Sequence, residues 1–483
     1  MAKALLEIQR HGIMNLVSSA GITAIGFLAT MFYAHWIGPG VLGTYFVFLS
    51  MFGILSLFCD FGISLASTQR ISDGNDPDAY YSASVMLRMC LFVILVLGLI
   101  LFGGYLFKDN YVTLNSPDIF WALIIVLGIS TLGSCVSAGI GAGNRLGLLA
   151  STSLINNIVK IVLQVITVFL GWSLFGLIGG LLIGVLIQLI IELRFVDYRI
   201  KKFSWKHIQG LFSYSRWAFL ITICLVLFES LNALVIVLFL PVSDVGIFGV
   251  CWTFSIFAIF VSTALCNTLY VKVIRWNVDR DWNAIATSLE KAITYSLIFA
   301  LPILAGGIIL GQRLLYYFYG AVFAAGFMVL IVIIIMRVFQ SLSQLFIRYL
   351  MSSDRVQHAF TGLLLGIVAN IVLAFVLIPV LGLIGAALAS LVNVLIIGIV
   401  SAHYLREIIP IRFENKKIIH LFIATLLMAV FLVMGDFIIT TNSAVITVAR
   451  VAFGAVVYFT VILIGDREIR EDVVRTLRIQ WIP

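Results

Sequence analysis

Apolar residues in this chain do not alternate or recur at surface-helix spacing. They run on for 18 residues or more, stop at a few polar positions, and begin again. About fourteen such runs are read: 12–33, 41–64, 83–107, 118–140, 150–170, 176–193, 217–240, 246–271, 292–310, 322–345, 359–380, 384–402, 421–440 and 445–465. Each is long enough to cross a ~30 Å hydrocarbon core as a helix. Hydrocarbon offers no partner to an open backbone N–H or C=O, so runs of this kind must close their hydrogen bonds within themselves. The pattern predicts an all-α integral membrane protein of about fourteen transmembrane helices.

The polar positions orient the runs. Of 30 Lys and Arg residues, four lie inside runs (Arg88, Lys160, Arg337 and Arg450) and two, Lys108 and Arg313, lie on one set of alternating loops. All the others, from Lys3 and Arg10 to Arg478, fall on the opposite set. Basic loops stay inside, so both termini are expected in the cytoplasm and the protein in the inner (plasma) membrane. The chain is 62% hydrophobic and 11% charged, against about 25% charged for a soluble domain. A net charge of +8 suits insertion and the anionic inner leaflet; no folded basic face offers itself to nucleic acid. The N-terminus lacks a short apolar core followed by a small-residue cleavage site, so the first run is expected to remain as a helix. Six cysteines (59, 90, 135, 224, 251 and 266) lie in predicted spans without a CxxC pair, which supports neither a metal site nor a disulfide framework.

The outer loops (34–40, 108–117, 171–175, 241–245, 311–321, 381–383 and 441–444) are too short for a membrane transferase or polymerase site. Paired loop carboxylates, a nucleophile elbow, HExxH and a Walker A sequence are all missing. No catalytic residue is expected, and a secondary transporter becomes the default. The aromatic run Tyr316–Tyr319 on an outer loop reads either as an interfacial belt or as a sugar-stacking platform.

The chain also resembles itself at an offset of roughly 205–210. Lys160-Ile161-Val162-Leu163 aligns with Asn370-Ile371-Val372-Leu373, and Gly176-Leu177-Ile178-Gly179 with Gly382-Leu383-Ile384-Gly385. More weakly, Val41-Leu42-Gly43-Thr44-Tyr45 aligns with Asp244-Val245-Gly246-Ile247-Phe248. Six runs per repeat preserve orientation, giving a parallel repeat. The expected organisation is an N-terminal six-helix lobe (1–205), a C-terminal six-helix lobe (206–405) with a cavity between the two, and a remainder (406–483). That remainder holds two extra helices and a cytoplasmic amphipathic tail over 466–480.

Four stretches carry a family resemblance: the outer turn Ile37-Gly38-Pro39-Gly40-Val41-Leu42-Gly43-Thr44-Tyr45, Asp60-Phe61-Gly62-Ile63-Ser64, Tyr319-Gly320-Ala321-Val322-Phe323, and the two GLxG elements. With the topology, they resemble the polysaccharide-transporter (Wzx-type flippase) branch of the multidrug/oligosaccharidyl-lipid/polysaccharide (MOP) exporter superfamily, over about 1–405. The resemblance implies translocation of a polyprenyl-(pyro)phosphate-linked oligosaccharide to the outer leaflet, for surface polysaccharide such as lipopolysaccharide O-antigen. The implied partners are that lipid-linked glycan, membrane lipids, and a polysaccharide polymerase or other glycan-assembly proteins. No cofactor is implied. Na⁺, H⁺, the membrane potential and substrate flux all stay open as the source of direction.

Ionised groups in mid-bilayer cost at least ~2.5–3.5 kcal/mol on insertion scales and so face protein, water or a partner. The candidate cavity residues are Lys160, Arg337, Arg88, Glu229, Asn232, Asn156 and Asn157. Fixed cations there would attract a lipid phosphate, Arg in bidentate fashion. The competing reading is internal pairing: Asp60 with Arg88, and Glu229 with Lys160 or Arg337. Asp436 is expected to pair with Arg450 near the outer end of the last two runs. Asn156, Asn157 and Gln164 suit sugar hydroxyls or helix–helix hydrogen bonds equally. The alternative function is an ion-coupled multidrug or cation exporter of the same superfamily, which would want an acidic cavity. A non-transporting scaffold has little reason to keep buried charges.

Cysteine-accessibility labelling checks the charge map. Positions 108–112 and 313–317 should react from outside, and 201–206 and 412–417 from inside; reversal of either pair would invert the topology.

Overall fold

The computed structural model describes residues 2–106, 117–353, 355–438, 443–466 and 470–471. Every regular element among them is helical. Among the described residues, thirteen helices are long and apolar enough to cross a membrane. The first lies in α1 (Ala2–Asp60), which breaks at Gly38, where φ is 71°. Glycine adopts that left-handed angle without a Cβ clash, and Pro39 follows where a helix start needs no N–H. The two arms of α1 match the predicted runs 12–33 and 41–64, so the thirteen helices carry all fourteen runs.

After a left-handed turn at Phe61 and Gly62 comes the short α2 (Ile63–Ser72). α3 (Pro77–Leu106), α4 (Pro117–Ala142), α5 (Leu146–Phe169), α6 (Ser173–Leu193) and α7 (Trp205–Phe239) follow. α8 (Val242–Ser255) passes through a 3₁₀ turn, Ile256–Ile259, into α9 (Phe260–Val278). Then come α10 (Trp282–Tyr319), α11 (Phe327–Ser352), α12 (Val356–Leu381), α13 (Leu383–Arg406), α14 (Asn415–Ile438) and α15 (Ala444–Gly465).

Two expectations change. α7 starts at Trp205 rather than 217, and α10 has 38 residues, about 57 Å at 1.5 Å per residue. Both outrun the hydrocarbon, because hydropathy marks only where lipid begins, not where helix ends. The aromatic run is therefore the last turn of α10, not a loop. Tyr319 is buried, its ring 6.2 Å from that of Phe323, while Tyr316 stays exposed. The loop 108–116 and nearly all of the tail 466–480 lie outside the described residues.

By internal packing the chain forms two compact units, Met1–Gly249 and Val250–Pro483. α7 packs on α1, α2 and α3, so the packing boundary falls after it, whereas the repeat places a boundary at 205/206. In the second unit α14 and α15 pack on α10. The Tyr458 hydroxyl of α15 donates to the Ile298 carbonyl at 2.7 Å, closing a polar group that lipid could not satisfy.

Glycines set the closest helix approaches. In the hairpin α5–α6, Gly176, Gly180 and Gly184 recur every four residues, and a Cβ on any of them would strike Thr167, Gln164 or Asn156. Small residues at this spacing let two membrane helices lie backbone to backbone. The α12–α13 hairpin turns on Gly382, with φ 60°. Its counterpart in the first hairpin is Gly171, with φ 82°, and not Gly176, which lies inside α6. Matching the GLxG elements by identity pairs a packing glycine with a turn glycine; the two jobs differ physically.

The weakest sequence match proves the most telling in space. A Cβ on Gly43 would run into the carbonyl of Val242, and one on Gly246 into the carbonyl of Pro39. Residues 39 and 43 stand to 242 and 246 as the repeat aligns them. The contact is therefore reciprocal, the form that equivalent segments make about a twofold axis. Gly43→Ala and Gly246→Ala should each destabilise the purified protein by ~1–3 kcal/mol, as overpacking does. Gly98→Ala is the control, since nothing lies within 4 Å of its Cβ position. Thermal unfolding in detergent reads the difference.

Candidate functional site

Arg88 of α3 is fully buried in the first unit. Its Nε lies 3.3 Å from Asp60 Oδ1. Its Nη2 donates to Ser67 Oγ at 3.1 Å and its Nη1 to Ser134 Oγ at 3.5 Å. Asp60 ends α1 and holds the start of α2 as well, accepting from Ser64 N at 3.2 Å and Ser64 Oγ at 2.5 Å. The Asp60–Arg88 pair thus joins α1, α2, α3 and α4. Arg88 points into protein, not into open space.

Lys160, on α5, is arranged differently. Its ammonium donates to Asn157 Oδ1 at 2.9 Å, and Asn157 Nδ2 donates to the Ser153 carbonyl at 2.9 Å. Among the described residues no carboxylate forms an ion pair with Lys160, and its side chain is only half-buried. The predicted Glu229–Lys160 pairing is not formed. Glu229 presents an exposed side chain on α7, and Asn232, one turn on, is buried. Gln164 is engaged within the protein: it accepts from Tyr33 at 2.9 Å and donates to Tyr45 at 2.9 Å and to the Leu177 carbonyl at 2.7 Å. That is the helix–helix reading, and it ties both arms of α1 to the α5–α6 hairpin.

Asn156 leads to residues that the apolar-run reading passed over. Its Nδ2 donates to Gln188 Oε1 at 2.6 Å. Gln188 Nε2 donates to Glu192 Oε1 at 2.8 Å. Glu192 is fully buried and also accepts from Thr152 Oγ1 at 2.7 Å and Ser137 Oγ at 2.5 Å. The signal was there to find. Gly176, Gly180, Gly184, Gln188 and Glu192 follow at four-residue steps on α6, so the two polar residues continue the face that packs against α5.

In the second unit Arg337 of α11 is buried. Its Cζ sits 4.2 Å from the centroid of the Trp252 ring, its Nε donates to Ser255 Oγ at 3.0 Å, and its Nη1 donates to Gln340 Oε1 at 2.7 Å. A guanidinium over indole gains ~0.5–2 kcal/mol and is fixed in plane. Ser255 is the last residue of α8 before the 3₁₀ turn. Beyond the turn, Ser262 donates to the Ser341 carbonyl at 2.6 Å and accepts from Gln344 Nε2 at 2.6 Å. Arg337, Gln340, Ser341, Gln344 and Arg348 form one polar stripe at helical spacing on α11. Only Arg337 was singled out from sequence.

Arg450 is buried, and its Nη2 donates to the Gly435 carbonyl at 3.4 Å. The side chain of Asp436 lies outside the described residues, and with it the predicted Asp436–Arg450 pair. Among the described residues no three His, Cys, Asp or Glu groups come together as metal ligands do.

Among the described residues, an all-helical chain with thirteen helices of membrane-crossing length defines an integral membrane protein. Residues 10–254, just over half the chain, match the family described as "Polysaccharide biosynthesis protein", and the chain belongs to that family. It is 26% identical to the "Probable low-salt glycan biosynthesis flippase Agl15" of Haloferax volcanii over 99% of this chain and all of that one. To the "Probable flippase AglR" of the same organism it is 20% identical, over 80% of this chain and 81% of that one. Among solved structures the fold is that of the lipid II flippase MurJ in an inward closed conformation. The TM-score is 0.77 at 17% identity, covering 95% of this chain and 99% of that one. An inward-facing multidrug transporter of the MATE family of the MOP superfamily follows at TM-score 0.64 and 15% identity, over 82% of this chain and 97% of that one.

Removing one side of a buried ion pair strands the other charge, which costs about 3–5 kcal/mol. Asp60→Asn should therefore sharply lower the thermal stability of the protein, and Asp60→Asn combined with Arg88→Met should recover most of the loss.

Proposed function

We propose that this chain is a flippase. It moves a polyprenyl-phosphate- or pyrophosphate-linked oligosaccharide from the cytoplasmic to the outer leaflet, by alternating access along a cationic path. One observation carries the reading: Lys160 lies in a membrane-length helix and, among the described residues, is held by the Asn157 amide oxygen with no ion-paired carboxylate. Keeping such a charge costs folding free energy, and an anionic substrate group offsets that cost. The kinship with glycan flippases supports the same direction.

Within the second unit taken by itself, Arg337 has a planar guanidinium held by Trp252, Ser255 and Gln340. The stripe continuing through Gln344 gives hydroxyl and amide partners for a glycan that must leave water. Arg88 takes no part in substrate contact in this reading and fixes the fold around Asp60. Both termini lie in the cytoplasm of a plasma membrane, and lipid-linked glycan assembly proteins are the partners.

A strain lacking the gene should accumulate lipid-linked glycan on the inner leaflet, and the wild-type gene should clear it. A phosphate needs the positive charge itself. Lys160→Arg should retain part of the activity and Lys160→Gln should lose most of it, at similar membrane abundance. Normal glycan export by Lys160→Gln and Arg337→Gln, together with loss of cationic-drug resistance in Glu229→Gln, would replace this reading by that of a drug exporter.

A further inference from the structure

The connection from α6 to α7 runs over 194–204 and into the first turn of α7, and no step of the proposed transport uses it. It is irregular in backbone but fastened to the first unit. Arg145, in the turn before α5, pairs with Asp197 at 2.7 Å and donates from Nη1 to the Phe195 carbonyl at 3.2 Å. The Arg199 N–H donates to Asp78 Oδ1 at 3.1 Å, and the Lys201 N–H to Ser82 Oγ at 2.8 Å, both on α3. The Lys201 ammonium pairs with the same Asp78. The Tyr198 ring lies 5.7 Å from that of Tyr81, and Val196 and Phe203 pack on buried apolar residues.

These contacts use one face of the connection. The other face is exposed and carries Arg194, Arg199, Lys202 and Lys206, none of which forms an ion pair among the described residues. Between these cations stand Ile200, 82% exposed, and Trp205, 68% exposed. Neither belongs to a membrane-crossing segment, since one such segment ends at Leu193 and the next begins at Phe219. Lipid tails around the spans therefore do not account for their exposure. Large apolar side chains are costly in water, and neighbouring like charges repel. A soluble anion would answer the charges and leave Ile200 in water. An apolar protein groove would do the reverse. A membrane surface answers both, with phosphate for the cations and the acyl boundary for isoleucine and tryptophan.

We propose that the outward face of residues 194–206 is a docking surface for the anionic headgroups of membrane lipid. Arg199 grips a phosphate through two parallel N–H bonds, and Lys202 and Lys206 act as point charges beside it. Ile200 and Trp205 enter the boundary between headgroups and acyl chains. The connection is tied to α3 through Asp78 and Ser82 and to the turn before α5 through Arg145, so lipid bound to its outer face holds those elements together. A ligand that binds only the folded state stabilises it. The surface does not depend on the flippase reading.

Thermal unfolding of the full-length protein in neutral detergent, with phosphatidylglycerol or phosphatidylcholine added to the micelles, tests the proposal. Phosphatidylglycerol should raise the unfolding temperature at lower dose than phosphatidylcholine, and added salt should raise the dose needed, because exposed charges are screened. Arg199→Gln, Lys202→Gln and Lys206→Gln combined should leave the unfolding temperature in phosphatidylcholine unchanged. The half-effect dose of phosphatidylglycerol should then rise roughly 100-fold, at about five-fold per charge. Ile200→Ser keeps every charge and should raise that dose as well. Glycerol 3-phosphate and a short oligonucleotide should not reproduce the stabilisation. Equal responses to the two lipids, or an unchanged dose in the triple variant, overturn the proposal. So does equal stabilisation by either soluble anion, which would assign these cations to a partner in water. If the triple variant does not accumulate, Lys202→Gln alone decides, with a shift of about five-fold expected and no shift overturning the surface. Glycan accumulation in the deletion strain is scored separately, so the flippase reading can fail with this surface intact.

Discussion

Hydrocarbon has nothing to offer a hydrogen-bond donor or acceptor, and the polar contacts described above are arranged around that fact. The long apolar runs fold into helices because a helix closes its own backbone. Their few polar side chains must then find one another. Glycine faces bring α5 and α6 close enough for Asn156 to reach Gln188 and for Gln164 to reach the Leu177 carbonyl. Asp60 and Arg88 do the same across four helices, and Tyr458 does it against a single carbonyl. Packing in the membrane interior is thus directed by its polar minority, since lipid and leucine are equally apolar to each other.

Lys160 and Arg337, the two cations of the proposed path, are chemically unlike. Lys160 carries a compact charge on a flexible stem and is tethered by one amide oxygen. Arg337 is a rigid plate laid on indole. An ammonium can follow an anion over several ångströms, whereas a stacked guanidinium presents the same donors in the same directions throughout. The ammonium of Lys160 is therefore the adaptable charge of the pair and the guanidinium of Arg337 the fixed one.

Much of this was legible from the chain. Run lengths predicted the helices, and the left-handed break at Gly38 lies in the predicted outer turn. The Asp60–Arg88 pair followed from depth and sign. Helix ends beyond the apolar runs were not legible, because hydropathy marks the apolar stretch and not where the helix stops, as α10 shows by running past its predicted run at both ends. Glu192 was hidden by its position at the end of an otherwise apolar run. Only the four-residue rhythm it shares with Gly176, Gly180 and Gly184 marks it as facing protein. Trp252 and Gln340 were missed for another reason: a residue that holds Arg337 from a different helix, or one turn on, has no signature without the fold.

The crossing of Gly43 and Gly246 bears on how the two stretches aligned as a repeat can change in sequence. Along the two aligned stretches, Leu42 faces Val245, Thr44 faces Ile247 and Tyr45 faces Phe248 in the alignment; only the glycine is unchanged. A side chain displaced by a neighbour's mutation can repack. A main-chain carbonyl cannot, and it is a carbonyl that fills the space beside each glycine. Neither copy can therefore change first, and no second mutation rescues the first. The oldest part of such a repeat is written where two backbones touch, and every position that merely packs around it is free to forget.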